Sequence, residues 1–419
     1  MENTVPANVL FLRCVACGRR YPAGGVGMTC PGCGPDDGIL DVEYDMEAAK
    51  RGLTSAALAD RPRTHWRYAE LLPLEPSAIP REWAVGFTTI VRADRLARAI
   101  GLKRLLLKDE GRNPTASFKD RASSVGVALA VAGRAGAISC ASTGNAASSL
   151  AGYAAMAGLP AFIFVPASAP EPKLAQLLLY GAKVFCVQGT YDEAYRLSRA
   201  ACERFGWYNR NCAINPYLVE GKKTAGLEIA EQCADDPPDW VAVSVGDGCT
   251  IAGVWKGLRQ MHEIGLLARL PRMLGVQAAG VAPIDEAFRT GQLPGRVRGD
   301  TLADSINVPV PRNWRKALMA VRESNGTFVT VTDEQILTAM RQTGALAGVL
   351  AEPAAAASVA GLAVARRRGI VGPQENALAV VTGSGLKDVR NAMRAGGEPV
   401  RIAPSLEEVE RLVADGPRA

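Results

Sequence analysis

From about residue 103 the chain alternates short apolar runs with longer stretches rich in small residues, and this alternation restricts the fold more than any other feature. Strands are expected at Arg104–Leu107, Ala137–Ala141, Ala161–Val165, Lys183–Val187, Val241–Val245, Met273–Gln277 and Ala377–Val381, with helix-length segments between the neighbouring early ones. Strands joined by helix-length crossovers pair in parallel, and a parallel sheet needs helices on both faces. The expected class is therefore α/β. In such sheets ligands sit beyond the carboxyl ends of the strands, in the loops. The residues with the most chemistry fall in those loops.

The first such loop reads Asn113-Pro114-Thr115-Ala116-Ser117-Phe118-Lys119-Asp120-Arg121. It lies between the apolar stretch Leu105–Leu107 and a helix-like one, Ala122–Val131. Lys119 stands where a strand turns into a helix. Exposed amide donors at a helix start favour an anion. An amine near such positive ends loses its proton more easily and can attack a carbonyl. A solvated lysine on a helix start is the plain reading of a lone Lys; the nine-residue context favours chemistry. Ser142-Thr143-Gly144-Asn145 follows the second strand, and its side chains suit a turn with a helix cap. Gly246-Asp247-Gly248-Cys249-Thr250 follows Val241–Val245. Its glycines let the backbone approach an anion, and amides at the next helix start can cradle a phosphate.

The nine-residue run resembles the cofactor-anchoring lysine motif of pyridoxal-phosphate enzymes of the tryptophan-synthase-β fold type. Within that group it is most similar to threonine synthases, which usually read Asn-Pro-Thr-Gly-Ser-Phe-Lys-Asp-Arg; here Ala116 replaces the Gly. The resemblance covers roughly residues 80 to 400. It implies a fold-type II enzyme: two three-layer α/β/α domains with parallel-rich sheets, in a catalytic region spanning 81–403 with a smaller subdomain inserted at about 128–225. It also implies a homodimer and a small amino-acid substrate. Lys119 would carry pyridoxal 5'-phosphate, with Phe118 beside it, and would move the proton at the substrate's α-carbon. Ser142, Thr143, Gly144 and Asn145 match the loop that holds the substrate carboxylate, and Asn145 would also reach the cofactor's phenolic oxygen. Gly246, Asp247, Gly248, Cys249 and Thr250 match the cofactor-phosphate loop. A carboxylate facing a phosphate repels it, so the Asp247 side chain is expected to turn away. Val381-Thr382-Gly383-Ser384-Gly385-Leu386-Lys387-Asp388 matches the family's Thr-Gly-His-Gly-Leu-Lys-Asp, with Thr382 facing the pyridine nitrogen and Ser384 in place of His. A neutral hydroxyl at that nitrogen moderates how strongly the ring withdraws electrons. Glu352-Pro353-Ala354-Ala355-Ala356 resembles the family's Glu-Pro-Ala-Ser-Ala-Ala run near the cofactor; it also reads as a helix start with Pro in its first turn.

Two places depart from the threonine-synthase pattern. The family's Asn-Ser-Val-Asn-Pro-His-Arg-Leu-Glu-Gly corresponds to Cys212-Ala213-Ile214-Asn215-Pro216-Tyr217-Leu218-Val219-Glu220-Gly221. The Asn, Ser and Arg that help hold the phosphate of O-phosphohomoserine are thus Cys212, Ala213 and Leu218, which offer no comparable anion site. The Thr after the substrate-loop Asn is Ala146. Lys222, Lys223 and Arg210 are the nearby cations that could replace the lost donors. The expectation is a lyase or synthase that eliminates or replaces a group at the β- or γ-carbon of an amino acid, with an eroded substrate-phosphate site. An authentic threonine synthase and a non-catalytic zinc-ribbon protein on a degenerate enzyme fold are the alternatives.

Ahead of this region, Cys14-Val15-Ala16-Cys17 and Cys30-Pro31-Gly32-Cys33 form two Cys-x-x-Cys pairs twelve residues apart. Each pair can bend into a knuckle, with Gly18 and Gly34 permitting the tight backbone. Four thiolates suit a structural, tetrahedral zinc with no position left for substrate; thiol redox chemistry and iron are weaker readings. Residues 1–40 are read as zinc-ribbon-like knuckles, 41–80 as a proline-punctuated connecting segment, and 404–419 as a peripheral tail. The net charge of +6, from 48 basic and 42 acidic residues, is spread too thinly for a nucleic-acid footprint. No apolar stretch is long enough to span a membrane. With no secretion signal at the start, a cytoplasmic address is expected.

Overall fold

A computed structural model describes residues 6, 8–169, 171–212 and 214–414, with the backbone alone for 171–173. Ala213, one of the departures noted above, lies outside the described residues. The strand at Arg104–Asp109 lies in a six-stranded sheet, in the order Thr327–Val331, Arg272–Ala278, Trp240–Ser244, Asn376–Val381, Arg104–Asp109, Ile90–Arg92. All neighbours are parallel except the edge strand Ile90–Arg92. A second sheet of four parallel strands runs Lys183–Val187, Ala161–Pro166, Ile138–Ala141, Tyr208–Asn209.

Strand alternation explains the layering. On the large sheet, Leu106, Val241, Val243, Leu378 and Val380 point to one side, where they pack with the helices Tyr217–Gln232, Cys249–Glu263 and Trp314–Glu323. Leu105, Leu107, Ala242, Ala377 and Ala379 point to the other, against Asp94–Ile100, Asp333–Ala347 and Pro353–Arg367. The strands are buried on both faces, which is why they read as continuous apolar runs. In the small sheet, Ile138, Cys140, Ile163 and Val165 meet the helices Lys119–Ala132 and Asn145–Met156, while Ala141 and Phe164 face Tyr191–Phe205. Each sheet is thus the middle of three layers.

The N-terminal extension is an antiparallel sheet of Val9–Cys14, Arg20–Tyr21 and Leu40–Tyr44. Its last strand crosses the boundary expected at residue 40. Gly18 and Gly34, both at φ +74°, close the two knuckles, with their amides bonded to the Cys14 and Cys30 carbonyls. The sulfurs of Cys14, Cys17, Cys30 and Cys33 converge within 4.8 Å of one another. Burial pushes the Cys30 thiol up, but the Tyr21 hydroxyl at 3.0 Å and the amides of Cys33 and Gly32 more than reverse this, holding it at about 6. This donor set suits a thiophilic cation. Among the described residues, no helix is long and apolar enough to cross a membrane.

Candidate active site

The carboxyl ends of strands from both sheets open onto one cavity of about 780 Å³. Lys119 reaches it as the first residue of its helix. The loop before it is pinned to the loop after Asn376–Val381: the Phe118 amide donates to the Thr382 carbonyl at 2.8 Å, and the Ser384 amide donates to Ala116 O at 3.1 Å. Ala116 sits at φ +63°. That left-handed conformation costs a residue with a Cβ roughly 1–2 kcal/mol, which explains why glycine is usual here. Asp120 turns inward and accepts from the Thr115 amide at 2.7 Å and from the Thr115 hydroxyl. Arg121 is buried between Glu110 and Glu228. Of the sequence run, Asp120 and Arg121 therefore brace the loop and Lys119 alone presents its side chain to the cavity. The Phe118 ring lies in the core under Arg121, outside the cavity lining.

Burial pushes the Lys119 amine below its ordinary pKa, and the neighbouring Lys222 charge adds to this. A larger fraction of the amine is then unprotonated near neutrality, as a nucleophile or base requires.

Asn145, Ser142 and Thr382 line the cavity, whereas Thr143 and Gly144 do not. The Asn145 amide donates to both Glu352 oxygens, at 2.9 and 3.0 Å. Glu352 caps the Pro353–Arg367 helix and is buried, which raises its pKa against the Asn145 hydrogen bond. Gly383 leaves room for that carboxylate: a Cβ there would lie 2.6 Å from Glu352 Oε1. Glu352 belongs to a run that the sequence flagged, and its contact with Asn145 joins helices packed on the two different sheets across 207 positions.

Gly246, Asp247, Gly248, Cys249 and Thr250 all line the cavity at the start of the Cys249–Glu263 helix. A Cβ on Gly248, at φ +100°, would come 2.7 Å from Asn313 O, and one on Gly246 would come 3.0 Å from Ile306 Cα. Only a bare backbone fits, and its amides lie open to an anion. The Asp247 carboxylate accepts from the Arg312 amide at 2.8 Å and from the Asn313 side chain at 2.6 Å, so the neighbouring segment occupies both oxygens.

The cations left open by the sequence separate clearly. Lys223 is buried away from the cavity, against Glu220 at 2.6 Å and over the Tyr44 ring. Leu218 points into the Lys119 helix: its Cδ2 lies 2.7 Å from where a Cβ on Gly126 would be. Lys222 and Arg210 both line the cavity, each at most 2% exposed. Lys222 Nζ lies 2.5 Å from Cys249 Sγ. Arg210 donates through Nε to Ser123 and through Nη1 to Cys212 Sγ, at 3.0 and 3.5 Å, while its buried Nη2 has no partner among the described residues.

A family model for pyridoxal-phosphate dependent enzymes matches residues 82–383. The chain belongs to this family. A threonine synthase of Methanosarcina acetivorans is 39% identical over 96% of the chain and 98% of that protein. One of Methanocaldococcus jannaschii is 37% identical over 97% of the chain and all of that protein. Among solved structures, the processed form of threonine deaminase isoform 2 from Solanum lycopersicum superposes with a TM-score of 0.65 at 23% identity, covering 74% of this chain and 88% of that one. The match shows the fold. The chain is thus a pyridoxal-phosphate-dependent lyase or synthase of fold type II. The bare glycine loop at a helix start and the amine of Lys119 in one cavity fit this cofactor. When bound, pyridoxal phosphate withdraws electrons from the amino acid's α-carbon.

Proposed function

We propose that the protein is a threonine synthase, releasing phosphate from O-phosphohomoserine and adding water to yield threonine. The observation that carries this reading is Arg210, a buried cavity-lining guanidinium whose Nη2 has no partner among the described residues, beside the Lys222 ammonium. An unpaired donor of a buried cation is costly unless a ligand completes it. These two cations would take the substrate phosphate in place of the donors lost at Cys212, Leu218 and Ala146. The full-length likeness to proteins named threonine synthase supports the same reading. In it Lys119 holds the cofactor and moves the α-proton, and the Gly246–Thr250 backbone takes the cofactor phosphate. Ser142 orients the substrate carboxylate, and Thr382 faces the ring nitrogen.

Steady-state kinetics on cofactor-loaded protein test it. Threonine and phosphate should form in equal amounts from O-phosphohomoserine. If O-phosphoserine or O-acetylserine turns over while O-phosphohomoserine does not, the proposal fails. The second reading, elimination or replacement on a different amino acid, then stands. Ala146 and the inward-turned Leu218 favour that second reading.

We further propose a structural zinc on Cys14, Cys17, Cys30 and Cys33, supported by the convergence of their sulfurs. Metal analysis of protein prepared without chelator should find about one zinc per chain; protein without metal at full stability would rule the site out.

A further inference from the structure

The active-site cavity holds two thiols that neither the cofactor chemistry nor the substrate assignment uses. Cys212 follows the Tyr208–Asn209 strand, and Cys249 opens the helix behind the glycine loop. Both line the cavity, Cys212 half-buried and Cys249 at 5% exposure. Their side chains are within hydrogen-bonding reach of each other. Cations surround them: Lys222 Nζ touches Cys249 Sγ at 2.5 Å, and Arg210 Nη1 donates to Cys212 Sγ at 3.5 Å. The remaining cysteines are elsewhere: Cys140, Cys202 and Cys233 are buried in the body, Cys186 is exposed, and four form the N-terminal cluster.

We infer that Cys212 and Cys249 form an oxidisable dithiol, in which a hydroperoxide converts the pair to a disulfide across the mouth of the cofactor-phosphate loop and shuts the enzyme off reversibly. The two partners have unlike roles. The Cys249 hydrogen bond and the charges of Lys222, Arg210 and Lys119 hold Cys212 well below the ordinary thiol range. The same hydrogen bond, together with burial, holds Cys249 well above it. Cys212 is also the more exposed of the two, Cys249 being only 5% exposed, so an entering peroxide meets Cys212 first; Cys212 is the attacking thiolate and Cys249 the resolving thiol. Cys212 Sγ attacks one peroxide oxygen, the O–O bond breaks, and the leaving oxygen takes a proton to become water or alcohol. Cys249 Sγ then attacks the sulfenic sulfur, forming the S–S bond and releasing water. Two thiols lose two electrons and two protons, and one peroxide gains them. A disulfide would remove the sulfur that lies against Lys222 and pull the loop start toward residue 212.

The inference does not rest on which substrate the enzyme takes, and its first readout is independent of turnover. Cofactor-loaded protein is treated with hydrogen peroxide, blocked with iodoacetamide, and mapped by mass spectrometry without reduction. A linked pair of peptides carrying Cys212 and Cys249, short of two hydrogen atoms, is expected. Turnover of whichever amino acid the enzyme accepts should fall with that link and return with dithiothreitol. Holoenzyme with Cys212→Ser should keep most of its own starting turnover at the same peroxide dose. Two results would overturn the inference: Cys212 and Cys249 alkylated separately after activity is lost, or equal sensitivity in the Cys212→Ser protein. If that variant fails to fold, the wild-type map alone decides.

Discussion

Two buried clusters of charge lie on either side of the Lys119 helix, and they differ in whether they are complete. Behind it, Arg121 uses Nε, Nη1 and Nη2 on Glu110, Glu228, Thr224 and Thr88. Lys108 closes the same network, with donors to Glu228, Gln232 and the Thr88 carbonyl. All of its charged side chains are fully buried, and their donors are matched by acceptors. On the cavity side, Arg210 Nη2 has no partner among the described residues, and Lys222 has a thiol where a carboxylate would be expected. Buried charges are normally paired because an unpaired one is costly. On the function proposed above, the saturated cluster is a strut that positions Lys119, and the unsaturated one is the receptor that the substrate phosphate would complete. A cation's burial alone does not tell the two apart; the count of its partners does.

The largest test of that contrast lies between the clusters. Lys119→Ala should abolish turnover while leaving far-ultraviolet circular dichroism and the urea midpoint near wild type, because the side chain faces the cavity. Full activity in this variant would end the catalytic reading. Arg121→Met should do the reverse. It leaves Glu110 without its buried cation and Glu228 with Lys108 alone, at a cost of about 3–5 kcal/mol. A large drop in the urea midpoint is expected in cofactor-free protein. An unchanged midpoint would mean that the network is not a strut.

The parts legible in sequence are those set by local pattern. All seven expected strands are present, with ends shifted by at most two residues. Ile90–Arg92 and Tyr208–Asn209 escaped because two or three residues are too few to show a pattern, and Thr327–Val331 because Thr327 and Thr330 interrupt its apolar run. The loop around Lys119 was legible because nine consecutive residues build it. The proposed receptor was legible only as an open choice among Lys222, Lys223 and Arg210, because Arg210 follows a strand, Lys222 lies within a helix, and Cys249 belongs to a third element. Asp247 looked out of place beside an anion because its partners, Arg312 and Asn313, lie 65 and 66 positions away. Lys223 and Lys222 are adjacent in sequence yet face opposite ways, and only the packing of their helix separates them.

Substitution at Arg210 sharpens the contrast from the receptor side. Arg210→Gln keeps a donor for Ser123 but removes the charge. Hydrogen bonds to charged groups contribute about 1.5–3 kcal/mol each. KM for O-phosphohomoserine should therefore rise roughly 10- to 150-fold, with a change in kcat smaller than that in KM and little loss of stability. A variant that is strongly destabilised with unchanged KM would move Arg210 into the class of struts.

The smallest effect is a pH dependence, and it probes the strut. His65 is fully buried, with its ring nitrogens 3.3 Å from the Thr224 and Ser124 hydroxyls. Burial and then the Arg121 charge depress it to about 3, from an ordinary 6.5. Between these values the unfolded chain binds a proton at this position that the native protein does not. Stability therefore falls as the pH drops below 6.5, and the loss continues down to about 3. One proton gives a slope of about 1.4 kcal/mol per pH unit inside that window and none above it. His65→Gln replaces the ring with a side chain that does not titrate. The difference in unfolding free energy between wild type and variant should be constant from pH 7 to 8. It should then shift against wild type by about 1.4 kcal/mol for each unit below 6. Urea titrations of both proteins at pH 7.5 and 5.5 read this directly, and other acid-labile groups cancel in the subtraction. If the difference stays flat across that range, His65 already shares a proton in the native state. The network behind Lys119 would then carry one more positive charge than its two glutamates balance.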